Sequence, residues 1–242
     1  ELELCSSLCS DVYGMKPFKI KEINFQDIKN ELIKDGILRK KNKGFVKIDF
    51  LNISTSTLVL DAVGSMIQSW LEDWMKSKKF FFSKPSSQER PDLYLKKENK
   101  KEGLLEIKAF YKTPGFDIQS WNAFLNLMLI NPNHLYADYL IFDYQTKGNF
   151  FYVENIYLKK IWEISKPMGE RAQIKWPINV QYKNKEIVNL RPFGLKDFRD
   201  NKKYFDSGLE FLLKVQKMID MYPKSQEKFK NDKWINLVKK KI

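Results

Sequence analysis

The sequence predicts an α/β fold, with a mixed central β-sheet flanked by helices and a strand-and-helix extension toward the carboxyl end. Three observations predict it. Read along the chain, the elements run helix, β-hairpin, helix, strand, strand, helix, an order that a sheet covered by helices accommodates. The stretch Asp138-Tyr139-Leu140-Ile141-Phe142-Asp143-Tyr144 is the most strand-like in the chain and belongs in the middle of the sheet. At 242 residues, 43% of them apolar, the chain can bury one good core and is short for two. One domain over 1–242 is therefore expected, with a core at 57–154 and additions at 155–242.

The elements follow in order. Residues 24–34 have helical periodicity and stop at Gly36. A longer helix is expected over 57–76, with Leu60, Val63, Ile67, Trp70, Leu71 and Trp74 as its apolar face. After a polar loop at 83–89, residues 92–95 read as a short strand, 96–102 as a charged turn and 103–110 as a second strand. A helix should begin near Asp117 as its cap and run to Ile130. Beyond the 138–144 strand come a strand at 150–153 and a helix at 156–164. Residues 172–180 and 187–190 read as strands rich in polar and basic side chains. Helices at 202–221 and 226–240 close the chain. There is no internal repeat, low-complexity tract or clear linker.

Composition narrows the chemistry. Cys5 and Cys9 are the two cysteines, and with the single histidine they cannot furnish a four-ligand structural zinc site or a disulfide-stapled fold. The lone His134, in Asn131-Pro132-Asn133-His134, has no nucleophile beside it and reads as a turn residue, which removes histidine triads and multi-histidine nucleases. No P-loop or dinucleotide fingerprint is present. No run approaches the ~18 apolar residues of a membrane span, and the opening Glu-Leu-Glu-Leu-Cys-Ser-Ser lacks the features of a secretion signal, so a cytoplasmic protein is expected. The net charge of +13 suits a polyanionic partner. Only five of the 43 basic residues are arginine, however, and Lys, Asn and Ile are abundant. An AT-rich genome produces that bias whatever the function.

The tripeptide acid-any-Lys occurs four times, at Asp27, Glu98, Glu106 and Asp200. Three of these lie in amphipathic helix or polar turn. Only Glu106-Ile107-Lys108 lies in an apolar strand, between Leu104-Leu105 and Ala109-Phe110. Strand alternation puts Glu106 and Lys108 on one face and Leu105 and Ile107 on the other. Fourteen residues upstream stands Pro91-Asp92, which an antiparallel hairpin can bring beside Glu106. Two adjacent carboxylates repel unless a cation sits between them, and hard oxygen ligands suit Mg²⁺. Lys108 could then hold or help deprotonate an attacking water. The bland alternative is a salt bridge between neighbouring strands.

Pro91-Asp92 followed by Glu106-Ile107-Lys108 resembles the PD-(D/E)XK nuclease superfamily, in particular its type II restriction endonucleases. The resemblance covers about 58–153. It implies a restriction-endonuclease-like core, hydrolysis of DNA phosphodiesters, catalytic Asp92, Glu106 and Lys108, and Mg²⁺ held by Asp92, Glu106 and the Ile107 position. Members often place an acidic residue or Gln on the preceding helix near the metal. Here Gln68 or Glu72 could fill that place, in a polar stripe with Asp61, Gly64 and Ser65. The same stripe also fits an ordinary solvated helix face.

For DNA contacts the candidates are Arg90, Arg171, Gln173, Lys175 and Arg191, with Gln181 nearby, the last five having side chains that reach base edges in a major groove. Gln119 joins them because it opens the helix after the motif, where related nucleases often have a polar residue facing the site, although the polarity of a helix start explains it as well. Each could equally lie on a solvated surface. Cutting both strands of a duplex implies a homodimer. Trp162, Trp176, Tyr204 and Phe205 could line its interface or belong to the core. A restriction enzyme also implies a companion DNA methyltransferase. The alternatives are another nuclease of the same superfamily, such as a junction resolvase or repair nuclease, and a basic DNA-binding protein that does not cut.

Overall fold

The computed structural model describes residues 20–86, 90–99, 101–171 and 174–241; Cys5 and Cys9 lie outside them. Helix α1 (Phe25–Lys34) starts where Asn24 can cap it, the Asn24 side chain accepting from the Asp27 N–H at 2.8 Å. Asp27 lies at its positive end and Lys34 at its negative end, and Ile28 and Leu32 form the buried stripe. Next comes a hairpin absent from the sequence reading, β1 (Val46–Phe50) antiparallel to β2 (Ile53–Thr57). Its two-residue turn, Leu51 and Asn52, has positive φ at both positions, 48° and 63°. That geometry matches the twist of paired strands. Asn is at home there and Leu is not, so the turn carries no clear sequence signal. Leu51 and Ile53 stand exposed at its tip.

The helix expected over 57–76 begins later than its periodicity suggests. Leu60–Ala62 forms a 3-10 turn and α2 runs Val63–Ser77. Val63, Ile67, Leu71 and Met75, one per turn, are buried. Leu60 and Trp70, assigned to the same apolar face, are exposed; Trp70 stacks on Trp74 at the stripe's edge, ring centroids 6.3 Å apart.

The hairpin that follows is β3 (Leu93–Tyr94) antiparallel to β4 (Leu104–Tyr111). Thereafter β5 (Gln119–Ser120) leads into α3 (Trp121–Ile130), which carries the chain back to β6 (Asp138–Lys147), parallel to β4, and β7 (Phe150–Lys160) returns antiparallel. The sheet order β3-β4-β6-β7 puts β6 inside the sheet, as expected. Helix α3 starts four residues after Asp117. Ile118 donates its N–H to the Leu190 carbonyl and β5 pairs with a later strand, so the backbone stays extended until Ser120, which becomes the cap. The helix expected over 156–164 shrinks to α4 (Ile161–Ile164). Residues 156–160 instead continue β7, because its ladder with β6 extends all the way to Asp138↔Lys160.

The last third holds a hairpin, β8 (Gly169–Arg171) with β9 (Ile174–Trp176), and a small antiparallel sheet formed by β10 (Val180–Lys183), β11 (Glu186–Leu190) and β5. The strand expected over 172–180 is thus broken between β9 and β10. Helices α5 (Leu195–Arg199), α6 (Gly208–Met221) and α7 (Lys233–Lys239) follow. The helix expected from 202 waits for the Ser207 cap, and the one expected over 226–240 is split into a 3-10 turn, Glu227–Phe229, and α7. Gly208 packs closely: a Cβ there would stand 2.9 Å from Leu135 Cδ2, so that side chain would have to shift. Among the described residues no helix is long and apolar enough to cross a membrane.

Two apolar clusters sandwich the main sheet. On one face α1 and α2 pack on Leu93, Leu105, Ile107, Leu140 and Phe142. On the other, α3, α6, α7 and the small sheet pack around Leu104, Phe110, Tyr139 and Ile141. Asp143, fully buried on β6, has both carboxylate oxygens without a hydrogen-bond partner. Burial raises its carboxyl above the ordinary range and Glu154 adds to the rise, against Arg199 and Asn155. A raised carboxyl costs stability only once it ionises. Asp143→Asn should therefore raise the melting temperature by roughly 2–4 °C at pH 8 and by less at pH 4. A lower melting temperature at pH 8 would contradict this account.

Candidate active site

The register of the central sheet builds the site. Leu93↔Leu105 and Tyr94↔Leu104 are paired, so Asp92, one residue before β3, arrives beside Glu106. Alternation in β4 turns Leu105 and Ile107 into the α1–α2 core and leaves Glu106 and Lys108 on the opposite face. The parallel partner β6 places Tyr139 next to Glu106 and Ile141 next to Lys108. Asp92 is held by the strand itself: its Oδ2 accepts from the Ile107 N–H at 2.6 Å.

Glu106 is 1% exposed. Its Oε2 accepts from Arg90 Nη1 at 2.6 Å and lies 3.7 Å from Lys108 Nζ. Burial pushes its carboxyl up to about 7 against the pull of Arg90 and Lys108, and the nearby Asp92 carboxylate adds to the rise. Two neighbours complete the pocket. Tyr139 is held well above the ordinary phenol range, chiefly by burial and then by the Glu106 charge, with Arg90 at its hydroxyl. His134, buried in the 3-10 turn Pro132–Tyr136, is lowered to about 4 by burial and by the Arg90 charge. A neutral His134 in a short helical turn agrees with the sequence reading of a turn residue.

The donor set suits a hard divalent cation that keeps most of its waters. Asp92 lies near enough for its charge to act on Glu106, and Mg²⁺ is commonly held by one or two carboxylates plus substrate phosphate. The Ile107 side chain is buried on the far face, so only its backbone could contribute. Among the described residues no group of three His, Cys, Asp or Glu side chains gathers at a point. Glu72, expected as a further ligand, does not join the pair. It is buried on α2, against the other face of the sheet, and meets Lys84 at 2.7 Å. Gln68 is half-buried on the same helix. A cavity of about 520 Å³ lined by Leu32, Ile67, Trp70, Trp74 and Phe151 belongs to that same side, away from Glu106.

The remaining sequence candidates scatter. Arg90 is engaged by Glu106. Gln119 is buried on β5. Arg191 ties down the loop before it, with Nε 3.1 Å from Asp117 Oδ1 and Nη1 donating to the Gly115 carbonyl. Lys175 is exposed on β9, and Gln181 is half-buried on β10 with its Oε1 accepting from Asn189 at 3.0 Å. Gln173 and the side chain of Arg171 lie outside the described residues. Of the aromatics offered for an interface, Trp176 and Phe205 are buried in the core, and Trp162 and Tyr204 pack against it. The reading missed Tyr139 and the pairing of Arg90 with Glu106. Both depend on contacts between distant segments, although an arginine next to Pro91-Asp92 in a lysine-rich chain was a usable signal.

Comparison with known proteins bears on the fold and the family. The family model described as NgoBV restriction endonuclease matches residues 22–241. The chain is 35% identical over 136 residues to the type II restriction enzyme NlaIV of Neisseria lactamica, covering 54% of this chain and 54% of that protein. It is 33% identical over 141 residues to the type II restriction enzyme NgoBV of Neisseria gonorrhoeae, covering 55% of this chain and 76% of that protein. The first of these matches thus spans about half the length of the curated relative. The solved NlaIV restriction endonuclease superposes with a TM-score of 0.75 at 26% identity, over 92% of this chain and 88% of that one.

Proposed function

This chain belongs to the NgoBV restriction endonuclease family, and from that premise we propose that it is a sequence-specific, Mg²⁺-dependent endonuclease that hydrolyses both strands of duplex DNA. The observation that carries the reading is the cluster of Asp92, Glu106 and Lys108 on one face of a β-hairpin, with Glu106 buried and its charge opposed by two cations. Asp92 and Glu106 would hold the metal. Once bound, a divalent cation supplies positive charge to the scissile phosphate. The protein's own contribution is positional. The Ile107 N–H fixes Asp92, the β4–β6 ladder fixes Glu106 and Lys108, and the Lys108 ammonium orients the attacking water and stabilises its developing charge.

One such cluster cuts one strand, so a homodimer whose two-fold axis matches that of the DNA site is the working form. The cytoplasm is where that substrate is met. A cell carrying such an enzyme must mask its own sites, which makes a DNA methyltransferase of the same specificity the companion partner. Base reading is assigned to the additions beyond β7, with Lys175, exposed on β9, and Arg171 and Gln173 shortly before it in the sequence as the candidates. Plasmid and phage DNA incubated with Mg²⁺ should yield discrete fragments, and none with EDTA. A smear would remove sequence specificity. No cleavage of any duplex would remove the nuclease reading.

A further inference from the structure

Arg90 is the cation closest to the carboxylate that the metal needs. Its Nη1 donates to Glu106 Oε2 at 2.6 Å, against 3.7 Å for Lys108, and both cations address the same oxygen. It is no solvent-screened surface pair: the Arg90 side chain is 23% exposed and that of Glu106 2%. Around the guanidinium stand the Tyr139 hydroxyl and the buried His134, whose protonation the Arg90 charge opposes. In a chain with five arginines, one is committed to this pocket. Its planar fork suits a carboxylate and suits a phosphate equally well.

With Glu106 ionised, the local charges cancel: Asp92 and Glu106 against Arg90 and Lys108. A divalent cation adds two positive charges to that balanced, largely buried set, and Arg90 already occupies an oxygen the cation would take. A phosphodiester returns only one negative charge. Full loading is favourable when the guanidinium leaves Glu106 for a DNA phosphate, which removes one cation from the pocket and gives it a new partner.

Resting on the nuclease reading above, we propose that Arg90 is a built-in counter-ion for Glu106. It competes with the divalent metal for that carboxylate in the free enzyme and passes to a DNA phosphate in the complex, so that metal binding and DNA binding are coupled. Arg90 is on this view a positioning residue. The probe is Mn²⁺, titrated into DNA-free protein with the free ion followed by electron paramagnetic resonance. Arg90→Ala should bind Mn²⁺ about tenfold more tightly than the wild type, a gain no purely structural role would produce, with Arg90→Lys between them and Glu106→Ala binding none at this site. With Ca²⁺ as the probe ion and a labelled duplex that the wild type cuts, Ca²⁺ should tighten DNA binding in the wild type and much less in Arg90→Ala. Thermal melting checks that the variants fold, and Arg90→Lys carries the test if the alanine variant does not. Equal or weaker Mn²⁺ binding by the folded variant, in an enzyme that cuts DNA, overturns the counter-ion role alone. A wild type that neither binds Mn²⁺ nor cuts overturns the nuclease reading with it.

Discussion

Replacing Lys108 by alanine is expected to lower the rate of single-turnover DNA cleavage by about a hundred- to a thousandfold. The size follows from where the ammonium stands. It shares the sheet face of Glu106, is mostly enclosed, and lies 3.7 Å from the carboxylate, too far for a tight ion pair. Its stabilising contact with Glu106 is therefore weak, and the fold should lose little when it goes. What would be lost, on the proposed function, is a positive charge held where a hydroxide-like nucleophile is to form, in a pocket too dry for solvent to replace it. Cleavage time courses with Mg²⁺ measure the effect, and DNA affinity with Ca²⁺ should stay within a few-fold. An alanine variant that cuts within about threefold of the wild-type rate, far short of the loss expected of a charge aimed at the reaction, would reduce Lys108 to an inter-strand charge partner.

Glu106→Gln should give the second large effect, on the pH dependence of stability without metal. The carboxyl sits at about 7 in the folded protein against 4.5 in its ordinary state, raised first by burial. A raised carboxyl favours the fold while it is protonated. Its contribution is complete below about pH 4.5, falls as pH rises toward 7, and stays lost above that. The rise corresponds to something on the order of 3 kcal/mol. Glutamine is neutral throughout, so urea unfolding in EDTA should show the variant gaining on the wild type between pH 5 and pH 8. Glutamine leaves Arg90 an amide oxygen as acceptor, so what the variant removes is the carboxylate's charge, and the slope with pH is the readout. Parallel stability curves would mean that Glu106 ionises in the fold as freely as in water. The same variant should not cut DNA.

The legible part of the site was the part written in one hairpin. Strand alternation in an otherwise apolar segment singled out Glu106 and Lys108, and hairpin pairing across a charged turn brought Asp92 to them. Tyr139 was beyond reach because its place depends on the parallel pairing of β4 with β6, whose register no local pattern records. Arg90 sits beside a proline at the end of a loop, where its direction depends on the packed protein around it. Glu72 shows a different limit. Helical periodicity placed Val63, Ile67 and Leu71 on the buried side of α2, but it cannot say which face of the sheet the helix will cover. Among the fold elements, the end of β7 was lost to helix-like spacing, since short apolar repeats satisfy both periods until a partner strand is present, while the β1–β2 hairpin lacked a turn signal.

β4 works as a ruler. Its seven residue pairs with β6, from Leu105↔Asp138 to Tyr111↔Tyr144, lock a strand whose alternate residues serve two different purposes. One residue inserted or deleted between Leu105 and Glu106 would set the β3 pairing against the β6 pairing, turning Glu106 and Lys108 toward the α1–α2 core or Leu105 toward the site. The connection at 96–103 carries no such duty. On the proposed function that turn can lengthen or shorten while β4 keeps its length, and a library of insertions should recover active clones from the turn and none from the segment that holds Glu106 and Lys108.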